Sequence, residues 1–500
     1  MTPRWNATDL ACGALAAGVP FLVYLRTLAP TVYGLDSAEL TTGAYALGIV
    51  HAPGSPTYML LGHLFALLPI GDVGYRLNLF SAVAGALAAL SLYAVLRRLT
   101  GARTVALMAT WFAAFTYYFW ISALAAELYA LHAAFAAALL LVVLRWRDDG
   151  RATQLCLLAF LFGVGAGNHL SMVLLLPGFT WLAASGRRSP WRPLGLPLAT
   201  VICGLAGASI YLYLPLRYLS GTPLNYARDY WQVDLATVEG LRWMVTARMF
   251  NSFLFGIPAA ELPRELLTYG ERLWSNFVGF GMVLGVVGVV ADVRRRPSLQ
   301  VGLALLFVSH LAFYLSYRVG DKELMLLPTY LVWTVWVAIG AQVFCRALDR
   351  VSPVSVSASV LLFLLAAGTL ALNFDKVDLS ADTSARQRGE EILAALEPQA
   401  VYFGTWADVP ILEYLQIVEG RRPDVHTVNL FFVPGRGASI AGDWLRAGRA
   451  VYTSAPGSLE GGPLVTDQVD GCGCFRVRFA TAEDASIAAD GASTRLPAKR

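Results

Sequence analysis

Apolar runs of about 20 residues, separated by short polar patches rich in Arg, dominate the first three-quarters of the chain. A run of that length crosses a hydrocarbon core as one helix. The pattern predicts crossings at roughly 9–28, 78–97, 104–122, 126–145, 153–168, 170–186, 195–215, 273–291, 299–317, 324–345 and 354–373, about 11 in all. The first run is too long for the apolar part of a signal peptide and no cleavage site follows it, so it is read as retained. The pair at 153–186 is short, with Asn168 and His169 between its members. Arg clusters stand at 97/98/103, 145/147/151, 187/188/192, 294/295/296 and 346/350. If all are cytoplasmic, an even number of crossings must separate neighbouring clusters. The span list puts two between each pair. The N-terminus is then cytoplasmic, and residues 29–77, 218–272, 318–323 and 374–500 lie outside.

Past residue 374 the long apolar runs stop. ARQRGEEILAAL, AVYFG, VPILEYLQIVEG, DVHTVNL, AVYTS and CFRVRFA alternate helix-like and strand-like periods, as in a small soluble α/β domain. The division predicted is a transmembrane unit over 1–373, an extracytoplasmic α/β domain over 374–485, and a disordered tail over 486–500.

Composition agrees with the pattern. The chain has 500 residues, 57% hydrophobic and 14% charged, with mean hydropathy +0.56; soluble proteins carry about 25% charged residues. The net charge of +4 adds little, since the placement of Arg sets orientation. No G-x-G-x-x-G or P-loop is present, so no nucleotide site is indicated, and no nucleic-acid partner is expected. Cys12, Cys156, Cys203 and Cys345 lie in apolar segments. Cys472 and Cys474 form a C-x-C that is expected to be too close for a mutual disulfide and lacks a second pair for zinc.

The first external loop sets two carboxylates three apart, Asp36 and Glu39, in the otherwise apolar stretch DSAELTTGAYALGIVHAPGSPTYMLLG (36–62). ELTTGAYALGIV and SPTYMLLGHLFALLP each suit a short helix at the membrane surface. Asp36 and Glu39 fit a helix N-cap completed as a capping box. They equally fit a carboxylate held at the boundary to take a proton from a hydroxyl, because a partly desolvated Asp is a better base than one in water. The plainer reading of His51 is a turn residue set by Pro53, Gly54 and Pro56. No second His or Cys at ligand spacing accompanies it, so no His-based metal site is expected. A divalent cation held by Asp36, Glu39 and a lipid phosphate stays open.

The run LDSAEL…ALGIVHAPGSPTYMLLGHLFALLP…YRLNLFSA resembles the opening of the protein O-mannosyltransferase-like family, glycosyltransferase family 117 of the GT-C superfamily. That pattern has Asp-Ser-x-Glu, His-x-Pro-Gly-x-Pro, and an Arg, Asn and Ser entering the second span, which resemble Arg76, Asn78 and Ser81 here, spaced Arg-x-Asn-x-x-Ser. AELYALH with Glu127, Tyr129 and His132, GNHLSM with Asn168 and His169, YLYLPLR with Arg217, PLNY with Asn225, DKELMLLPTYL with Asp321 and Lys322, and EYLQIVEGRRPDVHTVNL follow in collinear order. The chain has LNYAR where the family often shows Asn-Trp-Gly.

The resemblance implies an inverting membrane glycosyltransferase with GT-C architecture and a long first external loop. It would take mannose or another hexose from a polyprenyl-phosphate donor to an extracytoplasmic acceptor, a protein Ser/Thr hydroxyl or a glycan. Asp36 becomes the general base and Glu39 its companion. Substrate contacts fall to His51, Arg76, Asn78, Glu127, Tyr129, Asn168, His169, Arg217, Asn225, Asp321 and Lys322. The location implied is a bacterial inner membrane with a periplasmic tail, where Trp406, Asp408 and Tyr414 are candidates for covering the site. A leaving lipid phosphate calls for a cation near the outer interface. Arg76, Arg217, Arg248, Arg318 and Lys322 qualify, Lys322 because it is the only Lys before residue 376. Snorkelling at a span end is the plainer role for each. Two other classes compete, a lipid or glycan transporter and a non-catalytic envelope scaffold. Against the transporter stand the absence of a strong inverted repeat and the scarcity of polar residues in mid-span.

Overall fold

The computed structural model describes residues 5–186, 195–320, 322–350, 357–459 and 463–481. Arg187, Arg188, Arg192, Asp321 and the expected tail over 486–500 lie outside them. Each of the eleven predicted runs contains helix, but their lengths differ. Among the described residues, seven helices are long and apolar enough to cross a membrane: Ala7–Thr27, Val73–Thr100, Leu128–Asp149, Gly195–Leu219, Pro297–Ser316, Leu324–Leu348 and Ala358–Val377. An eighth crossing arises if Leu262–Asn276 and Phe280–Asp292, bent by 105°, act as one span. Ala152–Ala166 and Leu170–Ala184 are shorter. The run at 104–122 breaks at Phe115 and Thr116 into Arg103–Ala114 and Tyr117–Ile121.

We label the first helices α1 (Ala7–Thr27), α2 (Asp36–Ala46), α3 (Pro56–Ala66) and α4 (Val73–Thr100). The first long loop therefore holds two helices, as expected, but α2 does not lie on a surface. Ser37 through Ala44 are all buried, because α2 packs between α3 and the tail helix Val409–Ile417. The start of α4 falls five residues before the predicted crossing, since Asp72 caps it by accepting from the Tyr75 backbone N–H (2.7 Å).

The tail is a small α/β unit. Its sheet has the order β2-β1-β3-β5-β4, with β1 (Val401–Gly404), β2 (His426–Asn429), β3 (Val451–Thr453), β4 (Leu464–Val469) and β5 (Cys474–Phe479). β1 runs parallel to β2 and β3, pairing Val401 with His426 and Val451. β5 is antiparallel to β3 and β4. Val401, Phe403, Val451 and Val477 form the core beneath one face. Helix Ser384–Ala395 precedes the sheet, and Val409–Ile417 crosses from β1 to β2.

Cys472 and Cys474 are joined in a disulfide, contrary to the expectation from spacing. They sit at the tip of the β4–β5 hairpin, where Gly473 adopts φ +54°. That left-handed turn brings the two Cα atoms to 5.2 Å, within the range a disulfide spans.

The tail and the first loop share one core. Ile411, Leu412 and Leu415 pack in the same buried cluster as Leu40, Tyr58, Met59 and Leu77. Polar contacts reinforce the seam: Arg386 reaches Asp72 (3.3 Å) and Glu419 (2.7 Å), and Tyr414 Oη accepts from the Gly74 N–H (3.3 Å). The ion pairs are partly exposed and contribute little alone. Burial of the shared apolar face holds the domain down.

Candidate active site

Asp36 is the first residue of α2 rather than its cap. Leu35 occupies the cap position with φ +57°, and no side chain caps the helix. The capping-box expectation is thus wrong, since both carboxylates point to other partners. Asp36 Oδ1 accepts from the Trp406 indole N–H at 2.6 Å, a bond across 370 residues. Glu39, one turn on, is fully buried. Its Oε1 accepts from the His51 backbone N–H (2.6 Å) and its Oε2 meets His51 Nδ1 (2.5 Å). Burial pushes the Glu39 carboxyl above its ordinary range; His51 opposes the shift and nearby Asp36 adds to it. His51 presents its ring edge-to-face to Trp406 (5.9 Å) and Phe250 (6.1 Å).

The HAPGSP turn thus places His51 on Glu39, and Trp406 joins Asp36 to the His51 ring. Around Trp406, Tyr226, Phe431 and Phe432 pack edge-on or tilted at 5.2–6.3 Å. Tyr226 Oη donates to Glu413 Oε2 at 2.5 Å. Glu413 is a carboxyl within the apolar helix VPILEYLQI, and burial raises its pKa to about 8. Sequence reading missed both Glu413 and Tyr226. The signal available was a lone Glu on the face of an otherwise apolar helix.

A pH dependence follows. Folded Glu413 holds its proton up to about 8, whereas its ordinary value is 4.5. The folded state therefore binds the extra proton, and this group's contribution to stability is full below about pH 4.5 and lost as pH rises through about 8. In detergent, the melting temperature of the Glu413→Gln variant is expected to vary less between pH 5 and 8.5 than that of the parent. Parallel curves for the two would refute the assignment.

The other residues expected at the site make the following protein contacts. Arg76 spends its guanidinium on the carbonyls of Ala66 (2.7 Å), Ile70 (2.8 Å) and Gly71 (3.0 Å). Asn78, fully buried, donates to Ala29 and Thr31 and accepts from the Ala126 N–H, clamping the entry to α2. Arg217 donates to Leu47 O (2.8 Å) and Ala46 O (3.3 Å), holding the end of α2. Asn225 caps Tyr226–Asp229 and bridges Ile49, which sets Tyr226. Lys322 is buried and donates to Glu265 (2.8 Å) and the Tyr314 carbonyl (3.1 Å), so its charge is already met. Asn168 donates to Leu128 O (3.1 Å). His169 accepts from the Ser171 N–H (3.2 Å) and stacks near Tyr129 (5.5 Å) and His132 (5.3 Å). Glu127 stands at the N-terminus of the Leu128–Asp149 helix, half-buried. None of these makes a described contact with Asp36.

Among the described residues no group of three or more His, Cys, Asp and Glu side chains could hold a metal ion. Both Glu39 oxygens are engaged by His51.

Residues 36–191 match the protein family described as Protein O-mannosyl-transferase TMEM260 N-terminal domain. The chain is also 25% identical over 463 residues to Protein O-mannosyl-transferase TMEM260 of Mus musculus, covering 86% of this chain and 64% of that protein. This chain is similar to the TMEM260 proteins over most of its length. The family's matched region opens at Asp36 itself. The Dictyostelium discoideum relative of the same name is 21% identical over 481 residues, covering 85% and 57%. This chain thus spans less than two-thirds of the length of either relative. Among solved structures, ArnT from Cupriavidus metallidurans bound to undecaprenyl phosphate superposes with TM-score 0.56 at 12% identity, over 94% of this chain and 98% of that one. The likeness shows that this chain shares the fold of that structure.

Proposed function

We propose that this chain is an inverting membrane glycosyltransferase that moves mannose or another hexose from a polyprenyl-phosphate donor to an extracytoplasmic protein Ser/Thr hydroxyl. The observation that carries the reading is the half-buried Asp36 carboxylate, with one oxygen held by Trp406 inside an aromatic enclosure. ArnT, which shares the fold, was solved with a lipid phosphate bound, and the curated relatives carry the mannosyltransferase name.

The step balances simply. The acceptor oxygen attacks the anomeric carbon as Asp36 Oδ2 takes its proton. The bond from that carbon to the phosphate oxygen breaks, and polyprenyl phosphate leaves with the electron pair. Glu39 and His51 form a buried, mutually satisfied pair one turn from Asp36, which fixes the helix end and the turn rather than joining the transfer. The site faces the side opposite the Arg clusters, with the N-terminus cytoplasmic, the α/β domain periplasmic and the whole in an inner membrane. The unit boundaries are near residues 373 and 485.

The leaving phosphate needs a cation. Arg76, Arg217 and Lys322 are committed elsewhere, as above, and exposed Arg248 pairs with Glu239 (3.4 Å). Arg318 is exposed and makes no side-chain bond or ion pair among the described residues. Its backbone N–H donates to Phe253 O (3.0 Å), at the end of the short helix Arg248–Phe253 that carries Phe250 to His51. Arg318→Ala is expected to lower kcat/KM for the donor about tenfold, the scale of one charge-assisted phosphate contact. An unchanged donor kcat/KM would remove Arg318 from the site.

The overall reading is tested by supplying the purified protein in nanodiscs with polyprenyl-phosphate mannose and a Ser/Thr-rich peptide. Mass spectrometry should find hexose on the peptide, and chemical degradation should show inverted anomeric configuration. Mass spectrometry of envelope proteins from cells with and without the chain extends the test. No lost hexose in either setting would sink the proposal.

A further inference from the structure

Trp406 reaches Asp36 from a different domain. It follows β1 in the turn Thr405–Asp408, where the Ala407 N–H donates to Thr405 Oγ (3.3 Å) and the Asp408 N–H to the Thr405 carbonyl (3.2 Å). Asp408 is buried and fixed by Arg388 (3.2 Å) and the Tyr402 hydroxyl (3.3 Å). The turn is thus pinned between a central strand and the helix Val409–Ile417. Side chains presented by rigid elements hold a reacting group more tightly than mobile loops do.

The indole is clamped too. Tyr226 and Phe432 meet it edge-to-face and Phe431 at a tilt, and the His51 ring closes another side. No other side chain is recorded as hydrogen-bonding Asp36 among the described residues. A carboxylate at the first position of a helix swings freely about its side-chain torsions unless a donor fixes one oxygen. Trp406 supplies that donor, and its geometry is set by a domain that is otherwise remote in sequence from the helical bundle.

We propose that Trp406 is a positioning residue for glycosyl transfer: its indole N–H anchors Oδ1 of Asp36 so that Oδ2 faces the acceptor hydroxyl. The catalytic site is then a composite of the first external loop and the C-terminal α/β domain, and neither part is complete alone. The inference rests on Asp36 being the base.

The test replaces the indole in two ways within the full-length protein. Trp406→Phe keeps an aromatic ring and removes the N–H. Incorporation of β-(3-benzothienyl)alanine at position 406 keeps the shape of the whole bicyclic ring and exchanges N–H for sulfur. Both are expected to lower kcat by about 30-fold, within the range that follows from misplacing a reacting group by about 1 Å. The donor KM should stay within about threefold, because the indole touches the base rather than the lipid-linked sugar. A packing role alone would leave the benzothienyl variant near parental activity. Asp36→Asn is measured alongside. If it is inactive while the benzothienyl variant keeps full kcat, the positioning role is overturned and the base stands. If Asp36→Asn is itself active, the base reading is what fails.

Discussion

Asp36→Asn is expected to lower kcat for sugar transfer by about 10³-fold, equivalent to about 4 kcal/mol of transition-state stabilisation, the middle of the range for a general base. The substitution is nearly isosteric. The amide oxygen can still accept from the Trp406 N–H that now reaches Oδ1 at 2.6 Å, so α2 and its packing should survive. What disappears is an oxygen able to accept the hydroxyl proton. Melting temperature in detergent should move by no more than about 2 °C, in keeping with a half-buried side chain whose bond is retained. Donor KM should hardly change, since the loss is felt only in the transition state. Activity within tenfold of the parent, in protein that is correctly folded, would exclude Asp36 as the base.

Gly74→Val is expected to abolish both folding and activity. A Cβ at this position would lie 2.1 Å from the Val32 nitrogen, 2.5 Å from its Cα and 2.7 Å from the Thr31 carbonyl carbon. Those are backbone atoms and cannot rotate aside. The segment they belong to leads directly into Asp36, and the Gly74 N–H also meets Tyr414 of the tail. The clash would therefore shift the loop that carries Asp36 and loosen the domain seam together, at a cost of about 4 kcal/mol or more. Yield of monodisperse protein and melting temperature read the outcome. Gly34→Ala is the control, because its Cβ would meet only Ala385 Cβ at 3.8 Å, an ordinary contact. If Gly74→Val purified with parental stability, the close crossing of α4 and the first loop would be wrong.

The two ends of the candidate site differ in how far the chain alone announces them. Asp36, Glu39 and His51 lie within 16 residues of one another in a loop otherwise poor in charge, and their grouping is visible because charges are costly near a membrane. Arg76, Arg217 and Lys322, expected near a phosphate, here make protein contacts. An Arg or Lys at a span end looks the same in sequence whether its partner is a ligand or a carbonyl, and here the partners are carbonyls and Glu265. The C-x-C disulfide was likewise hidden, because two Cys one residue apart meet only when a left-handed residue such as Gly473 folds the turn.

By itself the sequence determined the membrane class, the helical runs, the long first loop and the change to an α/β tail. These follow from local periodicity and composition, which the bilayer and the backbone enforce segment by segment. Only the tertiary structure decided that the tail is docked on the loop, that Trp406 rather than a capping interaction holds Asp36, and that Glu413 is buried against Tyr226. Those contacts join residues 187 and 370 positions apart. No local pattern encodes them, because they arise where two apolar faces, each legible alone, choose one another and carry their polar groups together into the same seam.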